Sequence, residues 1–230
     1  MTHSLWPTTG EQLEALQLEL AERARREPGW SPPTDRPPRV GGVFVASRRG
    51  IEGPGASDEP AWVAAVVLEH ASVLDSTVLC SHFDAPYVPG LLALREGKLL
   101  AEAVTRLGNS PDVLMVNASG RDHPRRAGLA LHLGAACGLP TIGVTDRPLL
   151  ASAAEPGLQR GAVAELMLED EVVGYRLRTR AGSRAVVVHA GWRVDAQTAC
   201  SVVLRVSCSS RTPAPLREAR RLARTARSQT

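Results

Sequence analysis

Lysine is nearly absent from this sequence: Lys98 stands alone among 27 basic residues, and the others are all arginine. A bias in genomic base composition is the ordinary cause of such a preference, which does not by itself indicate selection for the planar arginine fork. Cysteine is scarce as well. The four cysteines, Cys80, Cys137, Cys200 and Cys208, form no CxxC pair and no zinc-like Cys/His spacing, which argues against a zinc site. Cys80 and Cys137 fall in apolar runs, so we expect them to be buried free thiols.

Long apolar runs are also missing. No stretch approaches the ~18 apolar residues that a membrane span requires, and residues 1–6 lack the pattern of a signal peptide. We therefore expect a cytoplasmic protein without a membrane partner. The 230 residues suffice for a sizeable core and predict one α/β domain over residues 1–230, which we assume to be monomeric. The net charge of +3 permits an anionic partner without demanding one.

The hydrophobic pattern predicts a mixed sheet flanked by helices. Thr8 and Glu11 match a capping box that opens an N-terminal helix over about residues 9–26, and a Pro-rich connector follows at 28–38. Three strand-like runs and then alternating helices and strands predict a three-strand antiparallel meander followed by parallel βαβ units. A basic helix ends the chain at about 213–227. The predicted strands are 40–47, 61–68, 72–80, 113–116, 141–144, 162–168, 172–178 and 185–188, and the other predicted helices are 91–107, 127–137 and 196–206.

Two prolines stiffen the segment Pro86-Tyr87-Val88-Pro89-Gly90. Proline fixes φ and removes an amide donor, so this segment is extended and cannot join a central strand. An aromatic residue at the tip of a rigid loop can act as a wedge between bases, because stacking on the ring offsets the cost of separating them. A plain turn before the following helix explains the same residues, and the local sequence does not distinguish these alternatives.

The run His123-Pro124-Arg125-Arg126 is a second candidate site. Pro124 suits the first turn of a helix, where its missing N–H is no loss. Arg125 and Arg126 would then lie near a helix start, whose free backbone N–H groups also attract phosphate. A solvated basic helix start is the alternative.

Arginines also cluster near the carboxyl end of the chain. Their spacing on a terminal helix fits either contact with phosphates or a solvated helix face. These residues are Arg211, Arg217, Arg220, Arg221, Arg224 and Arg227.

In chain order, these motifs and several short segments between them resemble the endonuclease V family over residues 10–224. The segments that carry the resemblance are 40–43, 86–90 with Arg95 and Glu96, 116–120, 123–130, 140–144, 190–194 and 211–217. The resemblance implies an RNase H-like fold and a Mg²⁺-dependent nuclease of DNA repair that hydrolyses a phosphodiester bond near deoxyinosine.

The resemblance also implies where the nucleic acid would bind. The 86–90 loop would separate strands beside a base pocket, and the partner would be single-stranded or unpaired DNA or RNA. The residues implied in this contact are Pro86, Tyr87, Val88, Pro89, Gly90, His123, Arg125 and Arg126.

At the catalytic positions, the sequence departs from the family. The family pattern has Asp, Glu and Asp as metal ligands; Glu96 keeps the Glu position, whereas Phe44 and Asn117 stand at the two Asp positions. Phe44 cannot ligate a metal, Asn117 brings no charge, and Glu96 alone is a weak site for Mg²⁺. Ser119 and Trp192 replace family histidines. Phe44 and Trp192 add apolar bulk, so we predict that the cleft is repacked as core and that catalysis is impaired.

Two other interpretations stay open. An active endonuclease with a relocated metal site could use Glu96, Asp146 and Asp195, which requires the three carboxylates to converge. A repurposed interaction scaffold would instead have Phe44 and Trp192 closing the nucleic-acid groove and no continuous arginine track.

Overall fold

The computed structural model describes residues 5–50 and 55–229. Residues 1–4, on which most of the signal-peptide expectation depends, therefore lie outside the described part. The described residues form one eight-stranded mixed sheet with helices on both faces. The strands are β1 (Val40–Ser47), β2 (Pro60–Glu69), β3 (Ser72–His82), β4 (Val113–Val116), β5 (Thr141–Thr145), β6 (Val163–Leu168), β7 (Glu171–Leu177) and β8 (Val186–Ala190).

The strands lie in the order β3-β2-β1-β4-β5-β8-β7-β6. The first three form the predicted antiparallel meander, and β1, β4 and β5 run parallel to one another. The predicted mixed α/β sheet is confirmed. The other half of the sheet adds β8, β7 and β6 in antiparallel fashion. Because only a turn joins β6 to β7, that pair cannot be a βαβ unit, which needs a long crossover.

Helices cover both faces of the sheet. They are α1 (Gly10–Arg26), a π-helical turn (Ala93–Gly97), α2 (Lys98–Thr105), α3 (Leu129–Cys137), α4 (Ala196–Val206) and α5 (Ala214–Ser228). Side chains of β4 alternate between the faces. Leu114 and Val116 pack with α2 and α3, whereas Val113 and Met115 pack with α4 and the start of α5. Residues at the ends of the central strands are therefore held between two helical layers.

The start of α1 corrects one prediction. The N-cap is Thr9, whose side chain accepts a hydrogen bond from the Gln12 backbone N–H at 3.3 Å, so the capping box of Thr8 and Glu11 was wrong. Gln12 closes the turn by accepting from the Thr8 N–H, also at 3.3 Å. Glutamine at this third helical position serves as well as glutamate, which explains why the pattern was displaced by one residue.

The cysteine prediction fails at Cys80. This residue lies on β3, an edge strand, and is exposed, while Cys137 is only partly buried. Burial raises the pKa of the Cys137 thiol to about 11. Residues 28–38 contain neither helix nor strand, as expected of a connector. Within residues 5–50 and 55–229, no helix combines the length and the apolar character needed to cross a bilayer.

Candidate nucleic-acid interface

The candidate site lies at the carboxyl ends of the parallel strands. Val43 of β1 is in register with Val116 of β4, so Phe44 and Asn117 follow as neighbours where these two strands meet. Val116 in turn is in register with Gly143 of β5. Ligand sites of open α/β sheets lie outside these strand ends, where the loops and helix termini leave a crevice. Phe44 and Asn117, which lie far apart in the sequence, are thus neighbours in the fold.

Arg220 of α5 lies against both of these residues. Its guanidinium carbon is 5.0 Å from the centre of the Phe44 ring, and Nη2 lies 3.4 Å from Asn117 Oδ1. The Arg220 Nε–H is buried and has no hydrogen-bond partner among the described residues. Burial lowers the pKa of Arg220, and the nearby Arg224 lowers it further while Asp146 opposes the shift. A cation therefore lies beside both positions that the resemblance assigns to the family aspartates.

Glu96 lies on the π-helical turn before α2. Single π-helical turns within helices are frequent at functional sites. Burial raises the pKa of the Glu96 carboxyl to about 7, and the adjacent Arg95 offsets only part of this effect. Arg95 itself is buried, lies 3.7 Å from the centre of the Phe83 ring and pairs with Glu59 at 3.0 Å. Glu96, at the position that the resemblance assigns to the family Glu, thus belongs to no cluster of three or more potential metal ligands among the described residues.

The structure does not bring the carboxylates of the relocated-metal interpretation together. Asp146 Oδ1 pairs with Arg211 at 2.6 Å, and this hydrogen bond is the main reason that the pKa of Asp146 is lowered. Asp195 caps α4 by accepting from the Thr198 N–H at 2.8 Å. No three His, Cys, Asp or Glu residues converge as metal ligands within the described ranges. The residues present do not fit the donor set that Mg²⁺ prefers.

The 86–90 loop is exposed at its tip and fixed at its end. The side chains of Tyr87 and Val88 are 43% and 41% exposed. Gly90, with φ of +79°, occupies the left-handed region that favours glycine. Its carbonyl oxygen lies 3.1 Å from Gln17 Nε2, His123 Nε2 and Arg125 Nη2. Three donors from α1 and the 123–126 turn therefore hold the base of the loop.

The second motif does not begin a helix. Residues 123–126 form a turn, and Arg126 has a φ of +55°. The helix predicted over residues 127–137 begins at Leu129, so Pro124 does not lie in its first turn. Burial, and then Arg125, lower the pKa of His123 to about 4. Arg125 Nε also donates to Gln17 Oε1 at 2.6 Å.

The Arg126 guanidinium lies away from the 86–90 loop. It pairs with Glu169 at 2.7 Å and with Glu171 at 3.6 Å, which binds the turn to the β6–β7 hairpin. His123, Arg125 and Arg126 thus make contacts within the protein instead of presenting free charge to a phosphate.

Trp192 does not lie in the cleft beside Phe44, where it was expected. It is buried among Leu16 and Leu20 of α1 and Leu131 of α3, whereas Phe44 packs against α5 on the other face of the sheet. The prediction that both aromatics fill one cleft was therefore wrong. A change from histidine to tryptophan does not reveal which face of the sheet receives the side chain.

A cavity of about 200 Å³ opens between the 86–90 loop and the strand ends. Its walls include Tyr87 and Gly90 from the loop and Asn117, Ser119 and Thr145 from the strand ends. The cavity is smaller than the ~300–1,000 Å³ of sites for drug-sized ligands, so its size suits a single planar base. Asn117 lines this cavity and also accepts a hydrogen bond from Arg220, so it connects the cavity to the Arg220 guanidinium.

A buried polar network supports the cavity wall. Thr145 Oγ1 lies 2.7 Å from His189 Nε2, and His189 Nδ1 is 3.7 Å from Asp122 Oδ2. Asp122 accepts three backbone N–H bonds, from Leu149, Leu150 and Ala151 at 2.7–2.9 Å. Burial lowers the pKa of His189 to about 4 despite the attraction of Asp122. This network was missed, because its members lie up to 67 residues apart (189 minus 122) and share no local pattern.

Gln17 was missed although the sequence contains a signal for it. It interrupts the apolar stripe of α1 and is fully buried beside Leu13, Leu16 and Leu20. A polar side chain within such a stripe requires a partner. The partner is the Gly90 carbonyl of the 86–90 loop.

Comparisons with known proteins agree with this architecture. The sequence matches the Endonuclease V family over residues 20–221. An endonuclease V of Nocardia farcinica is 41% identical over 225 residues, which cover 96% of this chain and 93% of that protein. The endonuclease V of Streptomyces avermitilis is 39% identical over 96% of this chain and 93% of that protein.

Solved structures give the same result. The crystal structure of the Streptomyces avermitilis protein has a TM-score of 0.85 over 97% of this chain and 95% of that chain. An endonuclease V of Ciona intestinalis, crystallised with a 24mer DNA containing an inosine followed by a ribo-adenosine, is 22% identical with a TM-score of 0.76, over 96% of this chain and 99% of that chain. The predicted RNase H-like fold is thereby confirmed, and the chain belongs to the endonuclease V family.

Proposed function

We propose that this protein binds single-stranded or unpaired nucleic acid, and that it does not hydrolyse it by the metal-dependent route of its family. One observation carries the second half of the proposal: the Arg220 guanidinium lies against both Phe44 and Asn117. A fixed positive charge at these positions repels a divalent cation, and neither neighbour offers a carboxylate. The implied Mg²⁺ therefore does not fit, and no step of the proposed activity depends on it.

The exposed loop and the cavity support nucleic-acid binding. Tyr87 presents an aromatic face at the tip of a loop whose base is fixed by three hydrogen bonds. Such a tip stacks on a base that has left its partner, and the cavity beside it suits the size of that base. The Ciona intestinalis endonuclease V bound an inosine-containing DNA, and we extend this partner class to the present chain. An interaction scaffold with a closed groove is disfavoured, since Trp192 lies elsewhere.

A cleavage assay tests the loss of hydrolysis. The protein and its Glu96→Ala variant are incubated with labelled oligonucleotides, DNA and RNA, that carry one inosine, in Mg²⁺ and in Mn²⁺. We expect no cleavage in either metal. Glu102→Ala is the matched control, because it removes an exposed acid of α2. Cleavage by the wild-type protein that is lost in Glu96→Ala but kept in Glu102→Ala would show an active site rebuilt around Glu96.

Fluorescence anisotropy with the same oligonucleotides tests binding. We expect Tyr87→Ala to weaken binding by about tenfold, since a base–aromatic stack contributes roughly 1–3 kcal/mol. Leu158→Ala removes an even more exposed large side chain, which lies outside the cavity, and should have no effect. Equal affinities of the wild-type protein and Tyr87→Ala would exclude the 86–90 loop from the interface.

A further inference from the structure

The Arg220 side chain is a partly buried cation with little to balance it. A guanidinium has five N–H donors, and within the described ranges Arg220 uses one of them, in the 3.4 Å contact with Asn117. Its Nε–H is buried and has no partner. Asp146 attracts it from a distance but forms its own ion pair with Arg211. A partly desolvated cation without a paired anion is unfavourable, so this position is suited to a bound anion.

The position of Arg220 identifies the class of anion. Asn117, which accepts from Arg220, also belongs to the wall of the base-sized cavity, so the guanidinium stands one side chain away from that cavity. In a nucleic acid each base is joined through its sugar to a backbone phosphate, so an anion beside a bound base would belong to that backbone. Arg211 and Arg224 add positive charge around the same point, and the Phe44 ring packs against the guanidinium, with its centre 5.0 Å from the guanidinium carbon. Planar guanidinium forks bind phosphate oxygens in pairs.

We infer that Arg220 is a binding site for a backbone phosphodiester, and that it makes nucleic-acid binding by this chain independent of divalent cations. The inference rests on the proposed function for the identity of the ligand. It goes beyond that function because it assigns the phosphate contact to one residue and replaces a metal ion by a side chain that cannot be removed by chelation.

Salt titrations of oligonucleotide binding test the assignment. We expect the wild-type protein to bind a labelled single-stranded oligonucleotide equally well in EDTA and in Mg²⁺. Arg220→Gln should weaken binding about five- to tenfold and reduce the slope of log K against log salt by about 0.7, the value for one phosphate contact on a single strand. Arg220→Lys keeps the charge but loses the planar fork, and we expect an intermediate affinity.

Arg221→Gln is the matched control. It removes the same charge from the adjacent position of α5, where Arg221 is exposed and pairs with Glu218. Its affinity and salt slope should equal those of the wild-type protein. Wild-type binding that disappears in EDTA, or an unchanged slope in Arg220→Gln, would overturn the inference while leaving the proposed nucleic-acid binding intact.

A second measurement separates the anion site from the nucleic acid. Inorganic phosphate, added at constant ionic strength, should raise the melting temperature of the wild-type protein and of Arg221→Gln but not of Arg220→Gln, because a ligand that binds the native state stabilises it. If no oligonucleotide binds while phosphate still acts through Arg220, the proposed function fails and the anion site stands. If phosphate raises all three melting temperatures equally, the anion site is wrong.

Discussion

The clearest test of the architecture around the 86–90 loop is the titration of His123. Its Nδ1 lies 3.3 Å from the Arg125 backbone N–H and its Nε2 lies 3.1 Å from the Gly90 carbonyl oxygen. Since the first contact needs a lone pair and the second a proton, the ring is neutral with its hydrogen on Nε2. Burial is the main cause that lowers the pKa of His123 to about 4, and Arg125 adds to it.

The sign of the pH effect follows from linkage. In the unfolded chain the imidazole titrates near its ordinary pKa of about 6.5, so between about pH 6.5 and 4 the unfolded state binds more protons than the native state. Stability therefore falls as the pH falls through this window. One pKa unit corresponds to about 1.4 kcal/mol, so acidification from about pH 7 to pH 5 should cost about 2 kcal/mol through this group.

Urea denaturation of the wild-type protein and of His123→Gln, each at about pH 7 and pH 5, measures this contribution. Glutamine keeps a donor for the Gly90 carbonyl but does not titrate, so the variant should lose about 2 kcal/mol less than the wild-type protein. Other titrating groups, among them His189, are common to both proteins and cancel in the difference. His82→Gln, which replaces an exposed histidine, should behave as the wild-type protein. Equal losses in the wild-type protein and His123→Gln would refute a buried neutral His123.

Three further variants test other parts of the site by urea denaturation. The pKa of Glu96 in the folded protein is raised to about 7, so the protein loses stability as the pH rises from about 4.5 to 7. Glu96→Gln should therefore stabilise the protein at about pH 8 by roughly 1–3 kcal/mol. If this variant were no more stable, the Glu96 carboxylate would have a partner. In Gly42→Ala the new Cβ would overlap the Pro215 carbonyl group, which should cost roughly 1–3 kcal/mol; Gly29→Ala, with open space around it, is the control, and equal stabilities would contradict the close approach of α5. In Asp122→Asn, one side-chain oxygen remains to accept hydrogen bonds from three backbone N–H groups. This variant should lose roughly 1–3 kcal/mol of unfolding free energy. An unchanged stability would contradict the buried carboxylate.

The strands were predictable because their signal is local. β1, β4 and α4 begin and end where the hydrophobic pattern placed them, since alternation and apolar runs report directly on burial. The turn at residues 123–126 shows where this fails. Arg126 adopts a positive φ and pairs with Glu169, 43 residues further along the chain. A tertiary contact of this kind overrides the local preference of proline for a helix start.

The sequence placed Arg220 in a group of arginines that fit contact with phosphates, but for a related reason it could not single Arg220 out. It is one of several arginines on α5, and its neighbour Arg221 is chemically identical. The rotation of the docked helix decides that Arg220 turns towards Phe44 while Arg221 pairs with Glu218 at the surface. That rotation depends on which residues of α5 reach β1 and β2, among them Leu216 and Ala219. The spacing of arginines along the chain contains no information about this choice.

On the proposed function, the departures from the family at Phe44 and Asn117 belong together with the position of Arg220 beside them. A cluster of carboxylates repels itself without a cation, and a buried guanidinium is unfavourable beside a second cation. Aspartates at positions 44 and 117 would therefore form ion pairs with Arg220 instead of offering free oxygens to Mg²⁺. Replacing the two missing carboxylates alone would not restore a metal site. On this proposal, residues of β1, of α5 and of the segment after β4 together exclude the metal ion, and the Arg220 side chain supplies the positive charge in its place.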